Sequence, residues 1–450
     1  MSFEITTEKL DELRERIRDG YAESVSVQLS DLHYADVAEI LERLESEDAV
    51  ELFLCFDEEF AAEVLIELSE DLRKKILHDY SGKEIATELV ENLDSDDAAD
   101  ILNELSEEKK REVLDNLEDV EQAKQIAGLL THAEDTAGAL MATELIKVNE
   151  NWTVRHCVRE MRRQAENVEE VHAVYVVDDH DVLKGTLSLK KLLTTSTRTP
   201  VRELYNQKVI SVRSTTDVEE VAQIMEKYDL VVMPVVDEIG RLLGRITIDD
   251  VVDVIKEEAE RDYNLASGIT NDVEYNASIF KVTKARLPWL LIGIVGGLLS
   301  ASVISQNEGD IALIPQLAFF VPLIAATGGN VGVQSSAIVV QALANNSFDD
   351  NIAKRLTKEL LVGLLNGAIV AAFLLGIGMA TGLRNDISLT VSLSLFAVVI
   401  FASLFGTFVP IILDKYKVDP ALATGPFITT TNDVLGLFIY FSIGGIILGI

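Results

Sequence analysis

Thr429-Thr430-Thr431-Asn432-Asp433 gathers three hydroxyls, an amide and a carboxylate in five consecutive residues. The stretch lies in 421–450, an otherwise apolar or small run whose only charge is Asp433. About 20 such residues cross a bilayer. A carboxylate at that depth is costly, so it faces a bundle interior or a water-filled path. Oxygen donors suit a hard cation such as Mg²⁺. The chemistry indicated is passage of a divalent cation. The plain alternative is an aspartate paired with a lysine or with backbone donors, yet the apolar runs hold no Lys or Arg except Lys358 at one edge.

Five apolar runs must position that carboxylate: 287–305, 311–344, 356–380, 387–413 and 421–450. The N-terminus has no signal-peptide core, so the first domains are expected in the cytosol and, after an odd number of crossings, the C-terminus outside. Basic residues agree: Lys284, Arg286, Lys354, Arg355, Lys358, Lys415 and Lys417 fall on the inner side, against Arg384 outside. Glycines in Ala326-Thr327-Gly328-Gly329-Asn330-Val331-Gly332-Val333-Gln334 favour close helix packing, or else free carbonyls toward an ion. Pro322, Pro410 and Pro426 can kink or break their helices. Glu359 either lines a vestibule or snorkels to the interface.

The rest of the chain is acidic. The net charge is −36, and residues 283–450 hold eight Lys/Arg against nine Asp/Glu, so nearly all the excess lies before them. Such a surface repels nucleic acid and attracts cations. Two distant cysteines, Cys55 and Cys157, imply no disulfide framework. Six scattered histidines and no nucleophile–base pair argue against an enzyme, and no Walker-type phosphate loop argues against an ATP-driven pump.

From Leu29 to Leu117 apolar anchors recur about every twelve residues: Leu44, Phe56, Leu68, Tyr80, Leu93, Leu105, Leu117. Phrases such as VAEILERL and AADILNEL repeat around them, which predicts stacked amphipathic helix hairpins. Asp94, Asp96, Asp97 and Asp100 cluster at one helix start, either as caps or as half of a cation site shared with another domain. Beyond residue 137, strands alternate with helices in two copies about 60 residues apart: AVYVVDD with GTLSL, then VVMPVVD with LLGRIT. A helical linker over 250–286 starts acidic and ends basic, and Asp250, Asp253 and Glu257 share one face of it.

Pro234-Val235-Val236-Asp237, Gly240, Leu242, Gly244, Thr247 and Asp250 resemble the cystathionine-β-synthase (CBS) domain. That resemblance implies a cleft between copies for ATP or another adenine nucleotide, with Thr247 and Asp250 on ribose and phosphate. Ser188 is their counterpart in the first copy, where Lys191 replaces the aspartate. In their order the pieces resemble the MgtE family of bacterial magnesium channels over essentially the whole chain. The most specific matches are TGGN-x-G-x-Q at 327–334, PFITTTNDV-x-G at 426–436 and Asp419-Pro420-Ala421. Val333 stands where that family has a second Asn, and Thr429 where it has a small residue.

The resemblance implies a multidomain membrane protein: an all-α superhelical N-domain (1–132), an α/β tandem CBS pair (133–200 and 201–255), a connecting helix (256–285) and a five-helix α transmembrane domain (286–450). It implies a homodimer in the cell's inner membrane with a pore on the two-fold axis. Pore candidates are Asp433, Asn330, Gly328, Gly329, Thr429 and Glu359. It further implies closure by cytosolic Mg²⁺ bridging acidic residues, with candidates Asp97, Asp100, Asp217, Glu220, Asp250, Asp253, Glu257 and Glu258. The alternatives are a secondary divalent-cation exchanger or exporter, and a membrane-tethered nucleotide sensor.

Overall fold

The computed structural model describes residues 6–165, 168, 171–270, 278–344, 351–423 and 425–449. It divides into two compact units, Met1–Lys256 and Glu257–Ile450.

The first unit opens with short helices running from Thr7–Arg16 to Val120–Leu129, so the array starts before and ends after the expected 29–117. Polar residues at the helix starts satisfy otherwise orphan backbone donors. Asp57 accepts from Phe60 N, Asp119 accepts from Glu121 N and Gln122 N, and Ser81 with Glu84 forms a reciprocal capping box. Of the twelve-residue anchors, Leu44, Leu68, Tyr80, Leu93 and Leu117 are buried, while Phe56 and Leu105 pack half-buried against the same core. One helix, α1 (Ser95–Asn103), carries the aspartates singled out above.

Two similar sheets follow. β1 (Ile146–Asn149) pairs parallel with β2 (Val174–Val177), which pairs antiparallel with β3 (Leu183–Leu187). The crossover between the parallel strands is α2 (Val154–Gln164), and α3 (Leu189–Thr194) closes the first copy. The second copy repeats this with β4 (Val212–Arg213), α4 (Val218–Tyr228), β5 (Val232–Val236) and β6 (Leu242–Thr247). β2 is buried along its whole length, as expected of a central strand covered on both faces. The copies are stitched at their turns: Leu183 N donates to Gly240 O at 3.0 Å, and Leu242 N to Asp181 O at 3.0 Å. Tyr175, Val177 and Leu242 form a small apolar core at this junction.

Next comes α5 (Ile248–Ala266). The expected linker helix over 250–286 is not continuous: α5 stops at Ala266, followed by Gly268 at φ +77°. Its middle, 271–277, lies outside the described residues. Its basic end, Lys281 to Arg286, forms the first turns of α6 (Ile279–Gln306).

In the second unit, α6, α7 (Gln316–Ala344), α8 (Ile352–Thr381), α9 (Asn385–Lys415) and α10 (Gly425–Leu448) are long and apolar enough to span a membrane. The run 311–344 is split: Glu308–Leu313 is a separate short helix, and α7 starts just past Pro315. α9 is the central element, packed on α7, α8 and α10, and α6 packs on α10. Glycines set the close approaches. A Cβ at Gly406 would collide with the Gly332 carbonyl, and one at Gly363 would lie 3.2 Å from Ser403 Oγ. Pro322 and Pro410 lie within helices that continue past them, and Pro426 occupies the first turn of α10, where its missing N–H costs nothing. Of the two readings of the glycines at 328–332, close packing is the one found and freed carbonyls are not. α7 runs through them, and Gly328, Gly329 and Gly332 are buried packing surfaces.

Candidate functional site

α10 begins at Gly425, whose φ of +44° suits only glycine without strain. Its first threonines turn their hydroxyls to their own helix: Thr429 Oγ1 donates to Gly425 O at 3.0 Å, and Thr430 Oγ1 to Pro426 O at 2.7 Å. The hydroxyl oxygens keep lone pairs, so they remain acceptors.

One turn on, Asp433 is half-buried beside α7. A Cβ built on Gly329 would lie 3.0 Å from Thr429 Cγ2 and 3.5 Å from Asp433 Oδ1. A Cβ on Gly328 would lie 3.0 Å from Val398 Cγ1 and 3.7 Å from Asn432 O. The fold thus brings Gly328, Gly329, Thr429 and Asp433 together, because glycine lets the α7 backbone reach the carboxylate's own turn. Asn330, next in sequence, is exposed.

Two other polar groups lie apart. Asn432 is 1% exposed and rests against Gly332, and its amide N and O have no partner among the described residues. The asparagine expected to ligate beside Asp433 therefore points into the bundle. Glu359 is buried and accepts a 2.8 Å hydrogen bond from Ser335 across α7 and α8.

In the first unit, a carboxylate cluster forms where the helical array meets the second copy. Ser95, fully buried at the start of α1, donates from N at 3.2 Å and from Oγ at 2.8 Å to Glu144 Oε2. Arg245 on β6 donates from Nε to Glu144 O at 2.7 Å and from Nη2 to Asp94 Oδ2 at 3.3 Å. Oxygens of Asp94, Asp96 and Glu144 lie within 4.8 Å of one another. Asp97 faces Asp250 across the same junction. Burial, then Asp250 and Asp100, pushes its carboxyl up to about 7. Asp96 is raised well above the usual range by burial and by Asp97, Asp250, Asp94 and Glu144. Asp250 is also raised by burial, against hydrogen bonds from Thr247, whose N donates at 3.0 Å and whose hydroxyl donates to the same oxygen.

Like charges gathered this closely repel unless protons or a cation intervene, and an all-oxygen donor set fits Mg²⁺. Of the predicted regulatory residues, Asp97, Asp100 and Asp250 come together. Asp217 caps α4, donated to by Glu219 N at 2.9 Å, and Glu220 is exposed on that helix. Asp253 pairs with Lys256 at 2.8 Å on α5, the helix that also carries Glu257 and Glu258. Ser188 is exposed before α3 and does not cap it. Glu144 and Arg245 escaped the sequence reading. Glu144 lies in an aperiodic connection, and Arg245 sits in a strand where an arginine is expected to face water.

Family models match in three parts: an MgtE divalent cation transporter domain over 321–443, an MgtE intracellular N domain over 32–135, and CBS domains over 137–197 and 201–257. The chain is 39% identical over 336 residues to magnesium transporter MgtE of Thermus thermophilus, covering 74% of each protein. It is 36% identical over 324 residues to magnesium transporter MgtE of Enterococcus faecalis, covering 72% of this chain and 71% of that one. Its fold is similar to the cytosolic domain of the Mg²⁺ channel MgtE solved in complex with ATP, at TM-score 0.50 and 36% identity, over 54% of this chain and 99% of that one. These are transporters rather than enzymes, and the five spanning helices agree with a multi-pass membrane protein. The chain belongs to the MgtE family of magnesium transporters.

Proposed function

We propose that the protein is a homodimeric channel that imports Mg²⁺ passively and is closed by cytosolic Mg²⁺. The observation that carries the pore is the approach of Gly329 to Thr429 and Asp433. Paired across a two-fold axis, two Asp433 carboxylates supply two negative charges for one divalent ion. Mg²⁺ gives up water reluctantly, so it passes largely hydrated, held through hydrogen bonds to carboxylate and helix-end oxygens. Asn330, Gly328 and Thr429 line this path, and Glu359 with Ser335 lies behind it as a support.

Closure rests on the cluster of Asp94, Asp96, Asp97, Asp100, Glu144 and Asp250. Without a cation these groups repel and the array separates from the second copy. A bound ion bridges them, so it favours the docked state over the open one, as linkage requires. Asp217, Glu220, Asp253, Glu257 and Glu258 belong to further bridges made as the cytosolic parts close on the pore. ATP, bound by the relative's cytosolic domain, would occupy the cleft at Thr247 and Asp250. Exposed apolar residues on α3 and β5's approach, Leu193 at 86% and Val231 at 59%, support pairing with a second copy. The N-terminus faces the cytosol and the C-terminus the outside.

The test is Mg²⁺ flux into proteoliposomes, wild type against Asp433→Ala, at low and millimolar-range Mg²⁺ on the cytosolic face. Flux that disappears in the variant and falls with cytosolic Mg²⁺ is expected. Flux unchanged by Asp433→Ala refutes the pore assignment.

A further inference from the structure

We propose that Arg245 is a built-in counter-ion of the carboxylate cluster and sets the Mg²⁺ concentration at which the helical array docks. This rests on the gating reading above and adds to it a residue that no metal ligand set would include. Arg245 is only 8% exposed, an unusual place for a guanidinium. Its backbone is fixed in both directions by Ala142, with Ala142 N to Arg245 O and Arg245 N to Ala142 O both at 2.8 Å.

From that anchor one side chain reaches two other segments. Nε takes the Glu144 carbonyl of the connection, and Nη2 takes the Asp94 carboxylate just ahead of α1. The Glu144 carboxylate, in turn, holds Ser95 at the start of α1. Array, connection and second copy therefore meet at one planar cation.

The electrostatics give this cation a regulatory consequence. Arginine stays charged under all physiological conditions, so its charge cannot be titrated away. It lowers the cost of ionising Asp250 as well as pairing with Asp94. Asp94 and Asp250 thus face one permanent positive charge, which partly offsets the repulsion within the cluster before any metal binds. Each increment of charge that the protein supplies itself is one that Mg²⁺ need not supply. Removal of the guanidinium takes the positive charge beside Asp94 out of a crowded anionic site, and more Mg²⁺ is then required to reach the docked state.

The experiment uses the full-length protein in lipid nanodiscs. Protection of the 130–145 connection from limited proteolysis is titrated with MgCl₂ for wild type, Arg245→Met and Arg245→Lys. The methionine variant keeps the length and volume and removes the charge. The lysine variant keeps the charge and loses the guanidinium fork. The expected result is a midpoint raised about tenfold in Arg245→Met, within the usual range of coupling between sites. Arg245→Lys should stay within about twofold of wild type, and all three should be equally protected at saturating Mg²⁺, which also shows that they fold. An unchanged midpoint in Arg245→Met overturns the inference while leaving Mg²⁺ gating intact. So does loss of protection in both variants at every concentration, which makes the guanidinium a structural support. A wild-type protein whose protection ignores MgCl₂ overturns the gating reading, and this inference with it.

Discussion

On the proposed gating, Asp97 is a common site for protons and Mg²⁺, and the competition between them is measurable. The perturbation is pH in the absence of divalent ions. With the array undocked, Asp97 is solvated and takes the ordinary value of 3.8; docked, burial and Asp250 push it up to about 7. A carboxyl raised in the docked state holds its proton more tightly there. Its contribution to docking is therefore fully present below about pH 4 and is lost as the pH climbs through about 7. A shift from 3.8 to about 7 is worth about 4 kcal/mol over that window. Asp96 and Asp250 shift in the same direction and steepen the effect. Mg²⁺ needs the deprotonated form, so binding near neutral pH must expel a proton. Below pH 7 the apparent Mg²⁺ affinity should fall by up to about tenfold per pH unit for each proton expelled and level off above about pH 8. Calorimetric titration of Mg²⁺ in buffers of different ionisation enthalpy counts the released protons directly. Affinity flat between pH 6 and 8, with no buffer-dependent heat, would refute the buried, mutually repelling arrangement at this junction.

Two further outcomes follow from the membrane unit. Gly332→Ala forces a methyl onto the Asn432 amide and within 2.8 Å of Ile428 Cγ2, so it should cost about 1–3 kcal/mol in stability and push α10 off α7. Gly297→Ala on α6, with nothing within 4 Å, is the control that should leave the melting temperature and flux unchanged. Asn432→Leu replaces a buried amide, whose two polar atoms have no partner among the described residues, by an apolar side chain of similar size. It should raise the melting temperature, recovering about 1–3 kcal/mol of desolvation, as read by thermal unfolding in detergent. A lower melting temperature would mean that the amide has a partner in the assembled transporter.

How much of this could be read from sequence depends on whether the signal was local. The array was legible because a helix must bury one face, and burial every twelve residues leaves a period that survives in Leu44, Leu68, Leu93 and Leu117. β2 and β5 were legible as apolar runs between turn residues. β1 and β4 were not: they are only four and two residues long, and their pairing is decided by the partner strand across the crossover helix. The membrane helices were legible by length. Their glycines were legible as unusual but not as to consequence, since the same Gly-Gly-Asn can break a helix or pack it. Packing prevails because Thr429, Val398 and Asn432 fill the space that side chains on α7 would occupy.

The candidate site divides along the same line. Asp433 stood out because a lone charge in an apolar run is itself the anomaly. Thr429 to Asn432 looked equivalent to it in one dimension, and only helical geometry separates them. At about 100° per residue, neighbouring side chains leave the helix in different directions. Asn432 is therefore sent toward Gly332, while Asp433 and Thr429, four residues apart, share the face against Gly329. The carboxylate cluster of the first unit has the opposite character. There the aspartates were visible, but every acidic helix start looks alike, and what distinguishes this one is Glu144 and Arg245, 49 and 150 residues beyond Ser95. An acidic cap exposed to water costs little and senses nothing. Closed beneath a second domain, the same residues can be held together by protons, by Arg245 or by a metal ion, and on the proposed gating that choice is what makes them responsive.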